Sequence, residues 1–290
     1  MQHSARTTTV VDGVTLSAAS VGAGPPVVYL HGALTTLEEG LLALGPILAP
    51  HHRLIAFDRP GHGASGTGPG AGSAWRQAAL IRAAVVEMGV SRPVIVGHSF
   101  GGAVATAYAL QFPDEIAGVV ALAPIAFPEP RLEQMMFGLR AIPGGGGDWL
   151  NAIAAPWDGV AMPLLWDGMF LPQAMPENFR SEFPFALSLR PSQLRADGEE
   201  ALAMGVDLAR SASAYAFARV QLRVLQGDRD AVVNPLRHGL PLAFLWPDSA
   251  FVSLTGLGHM AHHFAPERVL EAIADCGDAG AAVNSLPRAA

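Results

Sequence analysis

The sequence predicts an α/β fold on a mostly parallel sheet, with a helical segment inserted into it. Three observations carry this. Short β-branched runs recur up to residue 124 and again over 220–254, and stretches of helical spacing separate them. Residues 125–215 hold no good strand and are rich in Pro, Trp, Met and Phe. One apolar run, Val94-Ile95-Val96, ends in Gly97-His98-Ser99-Phe100-Gly101, and small helix-compatible residues follow to Leu110. Strands alternating with helices in this way imply right-handed crossovers and a sheet covered on both faces.

The elements follow in order. Residues 7–21 alternate around Asp12-Gly13, a hairpin signal, and read as two antiparallel strands. Pro26–Leu30 is a short buried strand ending in His31-Gly32-Ala33. Leu37, Leu41, Leu44 and Leu48 share a helical face. Arg53–Phe57 is a strand, followed by Asp58-Arg59-Pro60-Gly61-His62-Gly63-Ala64-Ser65, which reads as a structural turn supporting the site. Residues 73–89 form a helix with Ser73 as N-cap. Ala117–Ala123 is the next strand. After the break, in which 192–210 reads as helix and Pro143–Gly147 as a flexible joint, the rhythm returns with a strand at 220–225, a helix near 235–244 and a strand at 250–254. Pro266 opens a last helix to about Asp275, and the tail from Gly277 is expected to be poorly ordered. The division expected is a core of 1–124 and 216–290 with a helical cap of 125–215.

Composition narrows the function. The chain has 290 residues, half of them hydrophobic and 15% charged, with a net charge of −7. Every basic residue is arginine. A polybasic patch for nucleic acid or an acidic membrane is not expected. Cys276 is the single cysteine, which fits a reducing compartment and a packing role rather than a nucleophile. The first residues lack the apolar core of a signal peptide, and no run approaches about 20 apolar residues, so a cytoplasmic chain without a membrane span is expected. A homodimer is compatible with all of this.

Ser99 sits where a strand turns sharply into a helix. Side chains at Gly97 or Gly101 would collide with neighbouring backbone in such a turn. The Phe100 N–H would then lie at a helix start, where partial positive charge holds an oxyanion. A serine needs a base, and the base an orienting acid. Functional groups gather at the carboxyl ends of parallel strands. His259 in Gly256-Leu257-Gly258-His259 lies just past the last strand and is the preferred base over His262 and His263. Asp230 in Gly227-Asp228-Arg229-Asp230 is preferred as acid, with Asp228 left to turn hydrogen bonds. The second oxyanion donor is read as the Ala33 amide, with Leu34 as the neighbouring choice. No His-Glu-x-x-His or clustered ligand spacing appears, so neither metal nor cofactor is expected.

His31-Gly32, Asp58–Ser65, Gly97–Gly102, Gly227–Asp230 and Gly258-His259, in that order at strand ends, resemble a capped α/β-hydrolase over roughly residues 8–276. The resemblance implies an eight-stranded, mostly parallel sheet with an antiparallel strand near its start. It implies Ser99 as nucleophile, His259 as base, Asp230 as acid, and Ala33 and Phe100 as oxyanion donors. Capped epoxide hydrolases and haloalkane dehalogenases carry aspartate at the elbow, where this chain has Ser99.

The inserted segment supplies Met135, Met136, Phe137, Trp149, Trp157, Met162, Trp166, Met169 and several phenylalanines. Most would be its own core, and some would line a pocket for an apolar group. The expected substrate is a small to medium hydrophobic carboxylic ester, with Leu34, His98, Met135, Trp157, Trp166 and Arg190 as candidate contacts. Were Arg190 to bind a substrate carboxylate, a C–C bond hydrolase of vinylogous diketo acids would gain weight. The further alternative is a ligand receptor without turnover.

Overall fold

The computed structural model describes residues 5–142 and 146–284. Eight strands form one sheet: β1 (Ala5–Val11), β2 (Val14–Val21), β3 (Pro26–Leu30), β4 (Arg53–Phe57), β5 (Val94–His98), β6 (Gly118–Leu122), β7 (Leu222–Gly227) and β8 (Ser249–Leu254). Their spatial order is β1-β2-β4-β3-β5-β6-β7-β8. Only the β1–β2 and β2–β4 pairs are antiparallel, which makes β2 the reversed strand. Asp12 and Gly13 take φ of 48° and 77°, the paired positive values of a tight hairpin turn.

The central strands are buried on both faces because their side chains alternate between two cores. Val28, Leu30, Ile95 and Val119 join one core; Val27, Tyr29, Val96 and Val120 join the other. The first is covered by α2 (Ala74–Glu87) and α3 (Phe100–Gln111), following α1 (Leu37–Leu48), which covers the second together with the C-terminal helix. Ser73 caps α2, its hydroxyl accepting from the Arg76 N–H at 3.4 Å.

Between β6 and β7 the described residues contain helices and no strand: α4 (Leu132–Met136), α5 (Gly146–Phe170), α6 (Glu177–Glu182), α7 (Phe185–Ser188) and α8 (Pro191–Ala214). α5 went unread in the sequence because it contains Pro156 and Pro163. Seven residues apart, the two lie on one exposed side, while Asn151, Asp158, Met162, Trp166 and Phe170 make the buried side. A buried bidentate pair, Arg140 to Asp158 at 2.8 and 2.6 Å, ties α5 to the preceding turn. The third apolar cluster joins this segment to Leu34, Leu42 and Met260 of the sheet side.

α9 (Gly239–Leu245) and α10 (Pro266–Asn284) complete the chain. α10 continues well past Asp275, correcting the expected helix end and, as far as Asn284, the expected loose tail. The Gly-Ala composition that reads as flexible is also compatible with helix. Of the predicted joint, Pro143, Gly144 and Gly145 lie outside the described residues, and Gly146 and Gly147 begin α5.

The elbow depends on the closeness of two backbones. A Cβ on Gly101 would stand 2.1 Å from the Leu30 carbonyl oxygen and 2.5 Å from that of His31. Neither can yield without moving β3. Gly101→Ala is expected to destabilise the protein by at least about 3 kcal/mol, read from a denaturant midpoint. A loss under about 1 kcal/mol would contradict the packing described.

Candidate active site

β3, β5, β7 and β8 all end at one edge of the sheet, and the loops after them hold the candidate residues. Ser99 follows β5 with φ 55° and ψ −117°, a conformation outside the ordinary regions for a side-chain-bearing residue. It is held there by three backbone hydrogen bonds. Its N–H donates to the Leu122 carbonyl at 2.9 Å, and its carbonyl accepts from Gly102 at 3.0 Å and Ile125 at 3.2 Å.

Asp230 follows β7. Its Oδ2 accepts from His259 Nδ1 at 2.9 Å and from Gln226 Nε2 at 3.1 Å; its Oδ1 accepts from the Val232 and Val233 amides, each at 2.9 Å. Burial pushes this carboxyl up, but the His259 charge and these hydrogen bonds outweigh burial and hold it below the usual range. Asp228 accepts from the Gly256 amide at 2.7 Å, a turn contact as expected.

His262 and His263 lie elsewhere. Both face Glu39 of α1, with His262 Nε2 donating closely to Oε1 and His263 Nε2 at 3.3 Å; the Tyr29 hydroxyl donates to Oε2. Burial pushes Glu39 up, yet the His262 charge and hydrogen bonds hold it well below the usual range. His98 is fully buried between His259 and His262, with ring centroids 4.7 and 4.5 Å away, and its Nε2 meets the His259 carbonyl at 3.3 Å. Burial and then the neighbouring histidines lower its basicity well below normal. It packs behind the site, which corrects its candidacy as a substrate contact.

Ser99, His259, Ala33 and Leu34 line one cavity of about 420 Å³, within the common range for small-molecule sites, about 300–1,000 Å³. The remaining wall is largely apolar, including Met136, Phe137, Leu165, Met169 and Val232. Glu129 and Arg131 add a charged pair, 2.9 Å apart. These two were missed in the sequence, although charges in the proline-rich run Phe127–Arg131 were a usable signal. Four other predicted contacts are corrected. Met135 and Trp157 are 77% and 72% exposed and outside the wall. Trp166 is buried, its indole N–H donating to the Leu34 carbonyl at 3.0 Å, so it supports the wall from behind. Arg190 donates to the Gly63 carbonyl beside a different depression.

The oxyanion candidates separate clearly. The Leu34 N–H is taken by Asp197 Oδ1 at 3.0 Å. The Phe100 N–H opens the twelve-residue helix α3, where helix dipoles add partial positive charge. Asp58 has a structural role, accepting from the Leu37 and Ala64 amides at 3.0 and 2.9 Å. Cys276 is buried and its thiol is pushed up to about 11 by burial, in keeping with packing.

Residues 25–266 match the family model described as the alpha/beta hydrolase fold. The chain belongs to that family. The hydrolase fold is also shared with an alpha/beta hydrolase fold protein from Burkholderia ambifaria, at a TM-score of 0.75, 20% identity, and coverage of 94% of this chain and 100% of that one. A thermophilic esterase from Thermogutta terrifontis aligns at a TM-score of 0.68 and 24% identity, over 94% and 97% of the two chains. At these identities the likeness concerns the fold. Among curated proteins, the acetyltransferase component of the acetoin cleaving system of Cupriavidus necator is 32% identical over 118 residues, 40% of this chain but only 31% of that protein. A Mycobacterium phage D29 protein with a provisional non-heme haloperoxidase name is 27% identical over 248 residues, 84% of this chain and 78% of its own length.

Among the described residues, two groups could offer three metal-binding atoms within 4.8 Å: Glu39–His262–His263 and His62–Asp197–Glu200. In both, histidine nitrogens already face carboxylates as hydrogen-bonded pairs. Among the described residues no helix is long and apolar enough to cross a membrane.

Proposed function

We propose that this protein is a serine hydrolase cleaving small to medium hydrophobic carboxylic esters through an acyl-enzyme. The observation that carries the reading is the Asp230–His259 hydrogen bond on a cavity wall shared with Ser99 at its strained elbow. His259 takes the Ser99 proton as the hydroxyl oxygen attacks the ester carbonyl. The Ala33 and Phe100 amides hold the resulting oxyanion. His259 then protonates the departing alcohol, and water, activated by His259, releases the acid and restores Ser99. Asp230 holds the imidazole with its proton on Nδ1, so that Nε2 faces the serine as a base.

The helical segment between β6 and β7 acts as a cap, and its Met136, Phe137 and Met169 give the apolar wall suited to an alkyl or aromatic group. An esterase shares the fold. The carbon–carbon bond reading asked for Arg190 beside the nucleophile, and that guanidinium is instead bound to Gly63. The expected result with p-nitrophenyl acetate, butyrate and octanoate is turnover of all three, with kcat/KM for butyrate or octanoate exceeding that for acetate by about tenfold, as buried methylenes add binding energy. Preference for a charged acyl group would overturn the substrate class. Ligand-induced stabilisation without turnover of any ester would favour a receptor.

A further inference from the structure

The loop after β3 has its own scaffold, and part of it comes from outside the sheet. A trans peptide is planar, with its C=O and N–H pointing in opposite directions. Whatever holds the Gly32 carbonyl therefore aims the Ala33 N–H. Three donors hold it: Arg59 Nη2 at 3.0 Å, His31 Nδ1 at 2.7 Å and the Thr35 hydroxyl at 3.1 Å. The His31 tautomer is assigned by its other nitrogen, since Nε2 accepts the Arg59 N–H at 3.0 Å and the proton must then be on Nδ1. Arg59 Nε also donates to the His31 carbonyl at 2.7 Å, and its guanidinium carbon lies 4.9 Å from the Phe100 ring centroid. One buried cation thus touches the residues on both sides of the candidate oxyanion site.

The carboxylate partner of this cation lies on α8, beside Gln77 of α2, whose Oε1 accepts from Arg59 Nη1 at 3.0 Å. Glu200 Oε1 accepts from Arg59 Nη1 and from Gln77 Nε2, the latter at 2.7 Å. One turn earlier, Asp197 Oδ1 accepts from the Leu34 N–H at 3.0 Å and from His62 Nε2 at 3.2 Å. Both carboxylate residues are buried, at 4% and 2% exposure. Leu34 takes φ 59°, in the left-handed region that leucine avoids. A conformation of that kind persists where surrounding contacts impose it, and here a charged acceptor grips its amide.

We propose that Asp197, through the Leu34 amide, and Arg59, through the Gly32 carbonyl, are positioning residues for the oxyanion site, so that α8 sets its geometry from within the inserted segment. This rests on the serine hydrolase reading above. Asp197 fixes the turn at Leu34 and leaves the Ala33 amide to face the cavity. Arg59, on the carbonyl side of the same peptide, polarises it and strengthens that amide as a donor. The contribution appears when charge develops on the substrate oxygen, so it belongs to kcat rather than KM.

The test compares wild type, Asp197→Ala, Asp197→Asn and Arg59→Lys, using p-nitrophenyl butyrate turnover and the rate of labelling by an alkyl fluorophosphonate. Asp197→Ala is expected to lower kcat and the labelling rate by about 10- to 100-fold, with KM changed by less than about threefold. Asp197→Asn keeps an oxygen acceptor for Leu34 and is expected to restore kcat to within about fivefold of wild type. Arg59→Lys keeps the charge but cannot span both carbonyls, and is expected to lose kcat like Asp197→Ala; it also serves if Asp197→Ala does not fold. If wild type turns over and folded Asp197→Ala matches it, loses only KM, or is not rescued by Asn, the positioning role falls and the hydrolase reading stands. If Arg59→Lys keeps full kcat, the Arg59 half falls. If wild type shows neither labelling nor turnover, both fall together.

Discussion

Ser99→Ala is expected to lower ester turnover by about five to six orders of magnitude and to abolish fluorophosphonate labelling. The substitution removes one oxygen and leaves the Cβ in place, so the elbow, with φ 55° and its three backbone hydrogen bonds, keeps its shape. Loss of activity without loss of fold is therefore the expected pattern, checked by an unchanged thermal midpoint to within a few degrees. A water attacking directly would still have the oxyanion donors and the cavity, which is why the residual rate stays above the uncatalysed one. His259→Ala removes the base of the same unit. The double variant is expected to match either single, since the nucleophile is useless without its base. Labelling of Ser99→Ala at the wild-type rate would move the nucleophile to another residue and sink the mechanism.

The parts that were legible in the sequence are those written in short-range physics. Val27–Leu30, Val94–Val96 and Val119–Leu122 read as strands because both faces of a parallel sheet are buried and the runs are apolar throughout. The elbow was legible because Gly97 and Gly101 are needed where backbones nearly touch. The pairing of His259 with Asp230 followed from strand-end positions.

What escaped reading depends on long-range packing. Trp157 and Trp166 are nine residues apart on α5, half a helical revolution out of phase, so one is 72% exposed and the other is buried against Leu34. Composition alone could not choose between them. His262 and His263 were separable from His259 by sequence position, but their partner Glu39 lies 223 and 224 residues away. Asp197 meets the Leu34 amide across 163 residues, and no local pattern on α8 announces it. The proline pair in α5 concealed a 25-residue helix because its cost is local while its stabilisation, through Met162, Trp166 and Phe170, is tertiary.

Asp230→Asn is expected to lower kcat by about 10³- to 10⁴-fold, less than loss of the nucleophile but with a different cause. Every partner of Asp230 is a donor: His259 Nδ1, Gln226 Nε2 and the Val232 and Val233 amides. A carboxylate satisfies all four with two oxygens. An asparagine keeps one acceptor oxygen, and its amide N–H₂ must face donors on the other side. If the oxygen stays on the two backbone amides, the amide nitrogen confronts His259 and Gln226. The imidazole then turns its unprotonated Nδ1 to that N–H, its proton moves to Nε2, and Nε2 ceases to be a base toward Ser99. The lost negative charge also removes the partner that stabilises the imidazolium formed during attack. Because Ser99 and the amides are untouched, raising the pH should recover part of the rate as hydroxide takes the serine proton in place of His259. Ser99→Ala has no serine proton to lose, so only its far smaller direct-attack rate can rise and it should stay orders of magnitude below Asp230→Asn. A pH–rate profile of the two variants on p-nitrophenyl butyrate distinguishes them. Wild-type kcat in Asp230→Asn would show that the carboxylate does not orient His259, and would return the choice of acid to the other strand-end aspartates.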